Sequence, residues 1–127
     1  MTVLCLDFGV HYSFEYKFIN YSDLGNREKA VYKSYKKIFN LVDLPRRDAP
    51  KILISETMRI TNDDTCGVWD PSLNAIVIKR TQLTSIQKFG GTLLHELGHK
   101  LSGAADCTRL FERKLTDYLG LITRKAL

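Results

Sequence analysis

Two histidines four residues apart, with a glutamate directly after the first, are the residues of this sequence best suited to chemistry: His95-Glu96-Leu97-Gly98-His99. Neutral imidazole nitrogens are favoured zinc donors, and helix residues four apart lie on one face, so both rings can address one ion. Glu96 stands beside the first histidine, where its carboxylate can reach a metal-bound water, take its proton and pass it to a leaving amine. A site with three protein ligands keeps a fourth position open for that water. The pattern predicts a Zn2+ centre with His95 and His99 as ligands and Glu96 as general base. An exposed, functionless pair with a Glu96–Lys100 surface ion pair is the competing reading.

The motif needs a helix beneath it, and the flanking residues supply one. Thr84-Ser85-Ile86-Gln87 has the form of a capping box, and Gly103 follows the last apolar residue, Leu101. Ile86, Phe89, Leu93, Leu97 and Leu101 form an apolar stripe, with His95 and His99 nearly opposite. Gly90 and Gly91 lie inside this helix, where each costs about 1 kcal/mol relative to Ala, which points to a close neighbour such as the preceding strand. Asp106 is placed to cap a second helix running from Cys107 to about Leu119, with Phe111, Leu115, Tyr118 and Ile122 as its buried stripe.

The third protein ligand is expected on that second helix. Glu112 borders its buried stripe and Thr116 follows one turn later, whereas Asp117 points to the other side. Glu112 is the choice, and Asp106 stays as the alternative because a capping role already occupies its side chain. The two helices, joined by a short turn, should run antiparallel.

Upstream, Tyr12, Phe14, Tyr16 and Phe18 alternate as a strand does, and Val31, Tyr35, Ile38, Phe39 and Val42 recur at helical spacing between Arg27 and Leu44. Pro45 closes that helix. Lys51 to Ile60 reads as a strand. Val68-Trp69 and Ala75 to Ile78, separated by turn chemistry at Asp70-Pro71-Ser72, suggest a hairpin. The class is α+β: an N-terminal strand and helix, a small mixed or antiparallel sheet, the motif helix and a C-terminal helix carrying Glu112, in a single domain over residues 1–127.

His95 to His99 on a helix, the turn at Gly103 and Glu112 on the next helix resemble the gluzincin clan of zinc metallopeptidases. The size and element order resemble its smallest members, the minigluzincins. The resemblance covers roughly residues 51–120 and implies a zincin-like fold and hydrolysis of peptide bonds. It makes Glu112 the third ligand and puts Thr116 at the position that supports the first histidine, where Asp is usual. It also implies a strand before the motif helix, here Ala75–Arg80, as the cleft edge that binds a peptide or protein substrate in extended form. The span from His99 to Glu112 is short for the clan. The metzincin pattern is missed by one residue at both Gly103 and Asp106, and no Met follows Met58. Peptide deformylases share the motif with an upstream cysteine, for which Cys66 is the candidate, but their other motifs are missing.

Composition narrows the rest. Hydrophobic residues are 44% and charged residues 26% of the chain, the balance of a globular protein. Nineteen Lys and Arg against 14 Asp and Glu give +5, and the basic residues are scattered, with Lys33, Lys36 and Lys37 read as a solvated helix face, so no nucleic-acid partner is expected. No apolar run approaches the ~20 residues of a membrane span, and no signal peptide is evident. The three cysteines form no CxxC pair, so a reducing cytoplasm is expected. The functional alternative is a zinc-containing accessory or interaction domain of a larger bacterial protein, with little or no proteolysis.

Overall fold

A computed structural model describes residues 14–59, 65–103 and 108–127. The fold is α+β. Its elements are β1 (Phe18–Ile19), α1 (Asn26–Lys33), α2 (Tyr35–Leu41), β2 (Lys51–Ser55), β3 (Gly67–Asp70), β4 (Ala75–Lys79), α3 (Ile86–Ser102) and α4 (Arg109–Ala126). The strands form one mixed sheet in the order β1-β2-β4-β3. β2 and β4 run parallel, with Lys51 opposite Ala75 and Ser55 opposite Lys79. β1 and β3 add antiparallel on the outside.

The expected hairpin is present as β3 and β4. The Asp70 carboxylate accepts the Ser72 backbone N–H at 3.0 Å and its hydroxyl at 2.6 Å, and Asn74 takes the left-handed conformation (φ 50°) that closes the turn. Ile76 and Ile78 of β4 join Ile52 and Ile54 of β2, Ile38 and Phe39 of α2, and Phe89, Leu93 and Leu97 of α3 in one apolar core. Those three α3 residues are fully buried, while Ile86, at the head of the same stripe, is 60% exposed.

The expected edge strand Ala75–Arg80 is overturned. Residues Ala75–Lys79 lie between β2 and β3 and are paired on both sides. The run Ala75-Ile76-Val77-Ile78 has no exposure at all, and a continuous apolar run belongs to a strand covered on both faces. The edge beyond it is β3.

Other boundaries shift for local reasons. The helix expected over Arg27–Leu44 is two helices, parted at Ser34, whose hydroxyl donates to the Val31 carbonyl at 2.5 Å. The aromatic strand keeps its period of two, since Phe14, Tyr16 and Phe18 line up ring on ring, but regular pairing covers only Phe18–Ile19. At the break, the Lys17 N–H is accepted by the buried Ser55 hydroxyl rather than by a backbone carbonyl. Tyr12 and Ile60 lie outside the described residues. No helix among the described residues is long and apolar enough to cross a membrane.

Candidate metal centre

α3 carries the motif, and its ends are fixed by specific groups. The N-cap is Ser85, one residue later than expected, with its hydroxyl accepting the Lys88 N–H at 3.1 Å. Gly103 closes the helix in the left-handed conformation (φ 64°), its N–H reaching the His99 carbonyl. α4 is capped by Thr108, whose hydroxyl accepts the Phe111 N–H at 3.2 Å, and it continues to Ala126 rather than stopping near Leu119. Asp106, the expected cap and alternative ligand, lies outside the described residues, as do Cys5 and Cys107.

Within α3, His95, Glu96 and His99 come together, with one ligand atom from each lying within 4.8 Å of the others. Two imidazoles and a carboxylate are the donor chemistry that zinc takes. Donors of a tetrahedral ion with bonds of about 2.0–2.1 Å stand roughly 3.3 Å apart, inside the 4.8 Å that bounds this group. The donor set fits the metal.

The histidines are not on an open face. Both are half-buried, because α4 packs beside α3 and lays Phe111 against them. The Phe111 ring is stacked on His99 at a centroid distance of 4.2 Å and meets His95 edge-on at 4.8 Å. Gly98 permits this approach, since a Cβ there would lie 3.1 Å from the Phe111 ring and 3.4 Å from Leu115.

Glu96 is buried, with 8% exposure. Its Oε1 accepts the backbone N–H of Trp69 at 3.0 Å, which ties the helix to the edge strand. Gly67 makes that contact sterically feasible, because a Cβ on it would sit 2.6 Å from Thr92 Cγ2 and 3.5 Å from Glu96 Cγ. The Thr92 hydroxyl is itself bonded to the Gln82 side-chain oxygen at 2.9 Å. One turn beyond Glu96, the Lys100 ammonium lies 5.4 Å from the centre of the Trp69 ring.

Glu112 is not brought to the site. It is exposed on α4 and outside the His95–Glu96–His99 group. Successive helix residues diverge by about 100°, and it is Phe111 that points at the imidazoles. Thr116, expected to support His95, is exposed and lines a cleft of about 440 Å³ with Val42, Lys114 and Leu121. Asp117 is exposed, and so is Cys66, which stands outside the group.

The residues that the motif alone does not reveal are Gly67, Trp69, Gly98 and Phe111. A glycine in a strand marks close backbone approach, which is the signal Gly67 carries. Gly90 and Gly91 play no such part: a Cβ at Gly90 would meet only Ile38, at an ordinary 3.6 Å, and at Gly91 nothing.

Comparison with protein-family models, with curated proteins and with solved structures finds no match to this chain.

Proposed function

We propose that the protein is a zinc-dependent peptide hydrolase of the HExxH type, with His95 and His99 as metal ligands and Glu96 as general base. The observation that carries this reading is the convergence of two imidazoles and one oriented carboxylate on a single turn of α3. A zinc ion held there supplies Lewis acidity, acidifying a water and polarising the scissile carbonyl. Glu96 takes up the proton of the attacking water and delivers it to the departing amine. The Trp69 N–H holds one carboxylate oxygen of Glu96 in place.

The peptide lies along β3, the strand next to Glu96. The Lys79 N–H bonds to the Cys66 carbonyl, and the alternation of an antiparallel pair then turns the backbone groups of Gly67 and Trp69 outward. The Trp69 N–H is spent on Glu96. The carbonyls of both residues and the Gly67 N–H face outward, in position to pair with an extended chain.

The test is metal analysis of the purified protein, followed by peptide-library cleavage with and without chelator. Glu96→Gln should keep zinc and lose hydrolysis by about 10²–10⁴-fold. Equal cleavage by mutant and wild type at matched metal content refutes the assignment.

A second reading, a zinc-bearing accessory or interaction domain, is favoured by the place of Glu112 outside the group. With the carboxylate of Glu96 as the third ligand, no base remains. In that case Glu96→Gln weakens zinc binding itself, and no peptide is cleaved.

A further inference from the structure

We propose that Phe111 is a positioning residue that seats both metal-binding imidazoles with one ring; the proposal rests on the metal reading above. A phenyl ring offers zinc no donor, so its role differs in kind from that of a ligand. The ring lies flat on His99, at 15° and 4.2 Å, and stands nearly perpendicular to His95, at 69° and 4.8 Å. The two imidazoles are 5.0 Å apart and 74° from coplanar, so they present different aspects to the same neighbour.

Three features make the seat firm. Phe111 is 4% exposed, which leaves it little room to turn. Its backbone is held in the first turn of α4 by the Thr108 cap. Gly98, between the two histidines on α3, lets the ring descend onto the helix.

An imidazole on an open helix surface samples several χ1 wells and a broad range of χ2. Metal binding must then select one pair of orientations out of many. A ring packed against both imidazoles makes that selection before the ion arrives, as the outer partners of metal ligands do. Most such partners act through hydrogen bonds, whereas Phe111 acts through packing and ring–ring contact. Loss of outer partners lowers metal affinity on the order of 10–100-fold, and loss of this ring should fall at the lower end.

The experiment uses the full chain and zinc alone, with affinity read by competition against a chelator. Phe111→Leu keeps apolar bulk and removes the ring. Gly98→Ala keeps the ring but shifts it by a few tenths of an ångström against the imidazoles, and as a glycine-to-alanine change inside a helix it favours helix formation. Both should weaken zinc binding about tenfold. Leu115→Ala, a cut in the same α3–α4 interface, should lower the melting temperature and leave zinc affinity within about twofold. Wild-type affinity in Phe111→Leu, or an equal loss in Leu115→Ala, overturns the proposal.

A second readout separates this idea from the metal reading. In the metal-free protein, the His99 ring protons should be shifted upfield by the stacked Phe111 ring and return toward ordinary positions in Phe111→Leu. If the wild type binds no zinc, the metal reading falls and this shift decides the seating alone; its absence overturns the proposal.

Discussion

Gly67→Ala is the sharpest test of how the edge strand and the motif helix fit together. The new methyl would sit 2.6 Å from Thr92 Cγ2, where ordinary contact is 3.4–4 Å. Either Thr92 turns about χ1 and gives up its bond to Gln82, or strand and helix part by about 1 Å to restore an optimal carbon–carbon distance. Parting would stretch the bond from Trp69 N–H to Glu96, now 3.0 Å, beyond hydrogen-bonding range. Overpacking of this kind costs about 1–3 kcal/mol. Urea denaturation should show a lower midpoint with an unchanged slope. Thr92→Ser supplies the control, because it removes the clashing methyl and keeps the hydroxyl bonded to Gln82. The double variant Gly67→Ala/Thr92→Ser should regain most of the loss, giving a coupling of about 1 kcal/mol or more. A Gly67→Ala protein as stable as wild type, or purely additive effects, would refute the close-approach argument.

Two further expectations concern the frame around the site. Ser85→Ala should destabilise by about 1 kcal/mol through loss of the α3 cap, while Thr84→Ala, whose hydroxyl only donates to the Thr81 carbonyl, should cost about 0.5 kcal/mol or less; thermal melts that reverse this order would restore the cap to Thr84. Glu28 is held below its ordinary value of 4.5 by hydrogen bonds from Arg80 and from the Gly25 amide. Its folded pKa is below its unfolded one, so its stabilisation is complete above about pH 4.5 and is lost as pH falls through the folded value. Stability measured from pH 7 to pH 3 should therefore fall more steeply in wild type than in Arg80→Gln, and parallel curves would contradict the pairing.

Much of the frame could be read from the residues in order. The α+β class, the β3–β4 hairpin, the glycine stop of α3 and the meeting of His95, Glu96 and His99 all follow from local spacing, which turns and helices obey directly. The edge strand was misplaced because sheet order is a long-range property. Yet Ala75-Ile76-Val77-Ile78 carried the clue, being apolar at every position rather than alternating. Glu112 stands outside the His95–Glu96–His99 group, one residue's rotation from Phe111. Periodicity gives a buried stripe but not its absolute angle toward a neighbouring helix, and Phe111, assigned to the stripe, proved to be the residue at the imidazoles. The caps moved from Thr84 to Ser85 and from Asp106 to Thr108 because adjacent Ser, Thr and Asp residues are interchangeable in sequence logic. Only backbone geometry chooses among them.

The parallel pairing of β2 with β4 sets an order on how the chain assembles. Asp70 meets Ala75 across the hairpin at a separation of five residues, whereas Lys51 reaches the same Ala75 across twenty-four. Closing the longer loop costs about 1.4 kcal/mol more entropy than closing the shorter one. On that ground the hairpin is expected to close before β2 docks beside β4. Ile52 and Ile54, which bring apolar surface to that docking, should then slow folding when truncated to Val more than they speed unfolding. In that order the strand that holds Glu96 is built early and secured late.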